Sequence, residues 1–188
     1  MHPSAELLVD AFDRVRGIVH RVVDGLTPEQ LSLRVAPEAN SIAWLVWHLT
    51  RIQDDHLADA AHAEQVWTSQ AWAERFGLPF DLRDTGYGHQ ADDVAAVQVD
   101  SGELLVGYQE AVHGQATRYV SQLEDADLAR IVDHSWDPPV TLGVRLVSVI
   151  ADGLRTPARR PSSAASCSAA RPTPFRVALA LKHGGEGE

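Results

Sequence analysis

Apolar residues recur at three- and four-residue steps through long stretches of this chain, a period that admits helices and little else. In residues 4–25 the positions Leu7, Leu8, Phe12, Val15, Ile18, Val19, Val22 and Val23 form one apolar stripe, with Gly25 placed to end the helix. Thr27-Pro28-Glu29-Gln30 then starts a short helix: threonine as N-cap, proline at the first position, glutamine three residues after the cap. A second long helix covers 41–63, capped by Asn40 or Ser41, with Ile42, Leu45, Val46, Leu49, Ile52, His56 and Leu57 on roughly one face. A third covers 100–122 with Leu104, Leu105, Tyr108, Val112, Ala116, Tyr119 and Val120 inward, and Asp125 to Val132 adds a turn. After the rigid connector Trp136-Asp137-Pro138-Pro139, Thr141 caps a fourth helix in which Val144, Leu146, Val147, Val149 and Ile150 lead to Asp152.

Residues 64–90 break the pattern. They hold Trp67, Trp72, Phe76, Phe80 and Tyr87 among Gly and Pro, and read as a long crossover with a short helix at 69–76. That aromatic content predicts packing over the helices rather than a solvated loop. No strand pattern of convincing length and no internal repeat appear. Four long helices with one long crossover between the second and third define an all-α four-helix bundle.

Composition narrows the function classes. The chain has 188 residues, enough for one domain with a real core. Its formal net charge of −10 argues against non-specific binding to nucleic acid or to an anionic membrane. A single cysteine, Cys167, excludes an internal disulfide and a cysteine-rich zinc module. No apolar run reaches the length of a membrane span, and the N-terminus lacks a basic region followed by an apolar stretch. The cytoplasm is therefore the expected location.

Two segments carry a family likeness: Asn40-Ser41-Ile42-Ala43-Trp44-Leu45-Val46-Trp47-His48-Leu49, and the run from Trp136 through Thr141 to Ser148. Together they resemble the DinB-like superfamily, in the branch of uncharacterised domains beside the mycothiol-dependent enzymes, over about residues 4–155. The resemblance implies an up-up-down-down bundle, often a homodimer. It also implies a divalent metal (zinc, nickel or iron) held by a histidine of the second helix and by two side chains four residues apart on the last. Characterised relatives use that metal to activate the thiol of mycothiol or bacillithiol for transfer or isomerisation of small molecules.

On this sequence His48 matches the first ligand and Asp152 the second. An imidazole inside a bundle is a good borderline ligand, although a core histidine bonded to a neighbour is the plainer alternative. Asp152 is equally open: a ligand one turn before the third position, or an exposed aspartate on a short helix. The third position is Thr156, where the family has histidine, and threonine is a poor ligand for these metals. Pro157 and Pro161 follow, and neither continues a helix.

The chain also changes character here. Residues 153–188 carry six basic side chains against two acidic ones, a net of +4, which leaves −14 on residues 1–152. A reading-frame slip accounts for the break. Removing one cytosine from GC-rich codons for the expected His-Ala-Gly-Gln-Ala-Ala-Phe-Val-Arg-Gly gives Thr-Pro-Ala-Arg-Arg-Pro-Ser-Ser-Ala-Ala, the residues found from Thr156 to Ala165. A natural Ala/Ser/Arg/Pro-rich tail is the alternative. Either way the chain divides into a helical domain at 1–155 and a poorly ordered tail at 156–188. Cys167, in that tail, has no partner to activate it.

The remaining candidates are weaker. His56, two turns above His48, is expected to line the core. His62, His89, His113 and His134 read as surface or loop residues. Arg51 and Asp55 have the spacing of an ion pair on a solvated face, while Trp44 and Trp47 are expected to pack the bundle and the crossover. No phosphate loop, nucleophile elbow or zinc-protease motif is present. No catalytic acid or base is identifiable. The functional expectation is a metal-dependent, mycothiol-type S-transferase or isomerase, impaired at its third ligand. The competing one is a non-catalytic helical binding or dimerisation protein.

Overall fold

The computed structural model describes residues 1–155. It is mainly helical, as the periodicity requires. Four long helices dominate: α1 (Pro3–Val23), α3 (Ile42–Ala61), α7 (Gly102–Val120) and α8 (Leu142–Arg155). Shorter ones are α2 (Pro28–Ser32), α4 (Val66–Ser69), α5 (Trp72–Phe76) and α6 (Ala91–Ala96), with a 3-10 turn at Asp125–Ala129. Local sequence sets the ends. Thr27 and Gln30 form the expected reciprocal capping box on α2, and the Ser41 hydroxyl accepts the Trp44 N–H at 3.1 Å to start α3. Gly25, at φ +69°, takes the left-handed conformation that ends α1.

The long helices pack in the cyclic order α1, α7, α3, α8. Side-chain pairs fix their directions. Asp13 meets His113 and Arg16 meets Glu110, while Gly102 lies against Val23, so α1 and α7 are antiparallel. Tyr108 bonds Asp54 and Tyr119 bonds the Ala60 carbonyl, so α7 runs parallel to α3. Leu142 and Leu146 of α8 share a core with Leu57 and Ala60, while Gly153 meets Val15, so α8 is antiparallel to α3 and parallel to α1. The order along the chain is up-down-down-up rather than the up-up-down-down order that the resemblance implied. The physical reason is connection length. Residues 62–101 carry the chain back to the starting end before α7 begins, which a short loop cannot do.

The interior forms two apolar clusters. One gathers Val15, Val19, Val23, Trp44, Trp47, Leu105 and Tyr108 with the crossover aromatics Trp67, Trp72 and Phe76. The other gathers Phe12, Leu57, Ala116, Val120, Leu142, Leu146 and Val149. Fully burying a side chain such as Phe12 stabilises the fold by about 2–3 kcal/mol. Trp67, Trp72 and Phe76 are thus buried in the core rather than solvated.

Several expectations need correction. The short helix expected at 69–76 begins only at Trp72, after Ala71 adopts φ +57°, and a separate helix, Val66–Ser69, precedes it. Helix α6 had no apolar stripe to announce it. A small antiparallel ladder joins Ile131–Asp133 to Val140–Thr141, because the proline-rich connector folds the chain back on itself there. Leu7 is 72% exposed, and Val144 and Val147 are 51% and 62% exposed. The buried stripes of α1 and α8 are thus narrower than their apolar content.

Candidate functional site

His48 sits in α3 beneath the crossover. Its Nδ1 lies 2.5 Å from the backbone carbonyl oxygen of Thr85. A carbonyl only accepts, so Nδ1 carries the proton and donates it. The neutral ring then presents a bare lone pair at Nε2. Trp44, one turn earlier, stacks on the imidazole with ring centroids 4.6 Å apart and planes 17° from parallel. Burial pushes the His48 imidazole below its ordinary pKa, and the neighbouring His89 adds to this. The Thr85 carbonyl and the Asp84 carboxylate act the other way without overcoming burial. At neutral pH His48 is therefore an uncharged acceptor, the state a metal or a proton donor requires.

Around it the segment 82–89 is held tightly. Asp84 accepts the Gly86 N–H at 2.7 Å, a turn that Asp-x-Gly favours. Indole Nε1–H of Trp44 donates to His89 Nδ1 at 3.0 Å. Indole can only donate, so His89 carries its proton on Nε2, which faces Asp84 Oδ2 at 3.1 Å. His89 also stacks on Trp47 and packs against Phe80. It is thus a loop residue, as expected, but one whose side chain is packed rather than on the surface.

Arg51 departs furthest from expectation. It is 0% exposed and forms no solvated pair with Asp55. Its guanidinium donates to the carbonyls of Asp84 at 3.1 Å and Leu82 at 3.3 Å and to Gln65 Oε1 at 2.8 Å, and it lies over the Trp67 ring. Asp54, 3.7 Å away, balances its charge. Asp54 in turn accepts the N–H groups of Val66 and Trp67, each at 2.8 Å, and the Tyr108 hydroxyl at 2.9 Å. Arg51 and Asp54 so bind both arms of the crossover to α3.

Asp152 lies on α8, is exposed, and stands near the helix end that points toward the N-terminal half of α3, the half that bears His48. Thr156, Pro157 and Cys167, and with them the third-ligand position and the frame-slip reading, fall outside the described residues. Among the described residues no three His, Cys, Asp or Glu side chains group as metal ligands. His56 does not line the core. With Asp55, Asp59, Gln65, Asp133 and Arg145 it borders a cleft of about 430 Å³ between α3 and α8. His62 is the exposed, left-handed C-cap of α3, His113 pairs with Asp13, and His134 is exposed.

Sequence reasoning missed Thr85 and Gly86 and gave no sign that His89 packs beside His48. Only the Asp84-Thr85-Gly86 turn signal marked that stretch, and nothing local says which helix it covers.

A mainly helical domain with an α3 histidine under an aromatic crossover defines the class of protein. The chain belongs to the DinB superfamily, whose family model matches residues 11–151. Its fold is similar to that in the crystal structure of the conserved protein of locus from Enterococcus faecalis. That match has a TM-score of 0.77 and 30% identity, covering 84% of this chain and 92% of that one. None of the curated proteins matches the chain. No described helix is long and apolar enough to cross a membrane.

Proposed function

We propose that this chain is a divalent-metal protein whose site is centred on His48 and Asp152. Its chemistry is that of a mycothiol-type, thiol-dependent S-transferase or isomerase of small molecules, impaired as the sequence stands. We read the four long helices as a closed four-helix bundle with a crossover, the scaffold that carries ligands on facing helices. One observation carries the proposal: the Nδ1 proton of His48 is taken up by the Thr85 carbonyl, which leaves Nε2 free to bind.

The donor set fits zinc, nickel or iron in part. His48 offers a neutral imidazole nitrogen and Asp152 a carboxylate, and described residues supply no third ligand. A bound metal would supply Lewis acidity toward a thiol. The chain's own contribution is different: Trp44 covers one face of the imidazole and the Thr85 carbonyl meets its Nδ1 edge, which together fix its orientation.

Metal content by elemental mass spectrometry tests this, on the chain as given and on a form with the alternate frame restored from residue 156. Stoichiometric metal in the restored form, lost on His48→Ala, is the expected result. Metal in neither form would remove the enzyme reading. Coding DNA that cannot be read in the alternate frame would remove the frame slip.

A second reading, a non-catalytic helical protein that forms a homodimer, is favoured by a different observation. Val144, Val147 and Leu154 leave an apolar stripe on α8 in solvent. Sedimentation separates the two, since a dimer without metal in either form belongs to this second reading.

A further inference from the structure

We propose that Gly86 is a positioning residue: by lacking a side chain it lets the Thr85 carbonyl reach His48 Nδ1, and so fixes which nitrogen of that imidazole presents a lone pair. The role of the lone pair as a ligand rests on the function proposed above, but the tautomer does not.

Three observations converge on Gly86. It is buried although it lies in the crossover. A Cβ there would stand 2.9 Å from His48 Nδ1, 2.9 Å from Trp47 Cζ3 and 3.2 Å from Trp44 Cζ2. None of these is the loose end of a flexible chain: two are rings packed in the core and the third is the imidazole itself. A side chain would have to lift the turn, and the carbonyl of the preceding residue would move with it. Its φ of +85° adds a further demand for glycine.

The turn cannot easily settle elsewhere. Arg51 holds the carbonyls of Leu82 and Asp84 just before Thr85, and the Asp84 carboxylate holds the Gly86 N–H just after it. The Thr85 carbonyl is thus held on both sides, and a Cβ on the next residue would come within 2.9 Å of the nitrogen it reaches. Without that acceptor nothing described obliges His48 to carry its proton on Nδ1. In free imidazoles the two neutral tautomers lie close in energy, so a single hydrogen bond decides between them.

Gly88 provides the control. It has nearly the same φ, +80°, but a Cβ there would meet nothing within 4 Å. Gly86→Ala and Gly88→Ala therefore share the cost of a positive φ and differ in the contacts with His48, Trp47 and Trp44.

The experiment reads the ring-nitrogen shifts of His48 by two-bond 1H–15N correlation on the metal-free full chain. The wild type and Gly88→Ala should show the proton on Nδ1. Gly86→Ala should show a mixture or the Nε2–H form. Zinc affinity, measured in parallel on the frame-restored form, should fall about 10–100-fold for Gly86→Ala relative to Gly88→Ala. The wild-type shift needs no variant, so an Nε2–H ring there overturns the proposal even if Gly86→Ala fails to fold. An unchanged Nδ1–H ring in a folded Gly86→Ala overturns it too. Absent zinc binding with the tautomers as expected supports the positioning role and counts against the metal reading alone.

Discussion

The Tyr108 hydroxyl donates to Asp54 Oδ2 at 2.9 Å, joining α7 to α3 inside the protein at the level where the crossover is anchored. Asp54 spends its other acceptor capacity on the N–H groups of Val66 and Trp67, which start α4. Its neighbour Arg51 holds the returning arm at Leu82 and Asp84. One buried pair thus ties both ends of the excursion to α3, and through it the turn that covers His48.

Removing the two members of this hydrogen bond should not cost the same. Tyr108→Phe loses one donor and leaves Asp54 its two backbone partners and Arg51, so urea unfolding should show a loss of about 1 kcal/mol. Asp54→Ala strands the buried Arg51 guanidinium and two backbone donors, and should cost about 3–5 kcal/mol. Equal losses would mean that the carboxylate does not balance Arg51.

Two glycines of α7 make an opposed pair. Ordinarily Gly→Ala in a helix interior stabilises by about 0.5–1 kcal/mol. Gly114→Ala should do so, because a Cβ there meets nothing nearer than the Arg118 guanidinium at 3.7 Å. At Gly107 a Cβ would stand 2.9 Å from Cη2 of Trp72, a buried ring packed against α7. Gly107→Ala should destabilise by about 1–3 kcal/mol. Thermal unfolding of both checks the packing of the crossover on α7.

Acid should loosen the turn over His48 through Asp84. Burial raises the Asp84 carboxyl, but the Gly86 N–H, His89 and Arg51 together hold it below the usual carboxylate range. A carboxylate whose folded pKa is depressed adds stability that is complete above its unfolded value, about 3.9, and is lost as pH falls from there through the folded value. The stability advantage of the wild type over Asp84→Asn should therefore shrink as pH falls below about 4. A gap independent of pH from 6 to 3 would show that Asp84 is not engaged in the turn.

Substitution on the exposed stripe of α8 separates fold from assembly. Val147→Glu should alter monomer stability by no more than about 0.5 kcal/mol, because the side chain lies mostly in solvent. If α8 forms the face between two copies, the same change should abolish the dimer in sedimentation. A dimer that survives Val147→Glu places its interface elsewhere.

The helices were legible because each apolar stripe repeats with the helical period, and because Thr27, Ser41 and Gly25 have side chains, or in Gly25 none, that act on the backbone only a few residues away. His48 is singled out only by the resemblance of the 40–49 segment to the DinB-like superfamily, since local spacing alone leaves it as readily a core histidine. What local sequence does not contain is direction and partner. The up-down-down-up order follows from a 40-residue excursion whose return depends on buried contacts at Trp67, Trp72 and Phe76. Arg51 has the same spacing from Asp55 as a surface pair, and only the crossover lying over it makes it a buried clamp. Thr85 reaches His48 across 37 residues of chain, so the tautomer of the candidate ligand belongs to the tertiary structure alone. Periodicity and capping are local properties of the chain, whereas burial and hydrogen-bond partnership between distant residues exist only once the chain has folded.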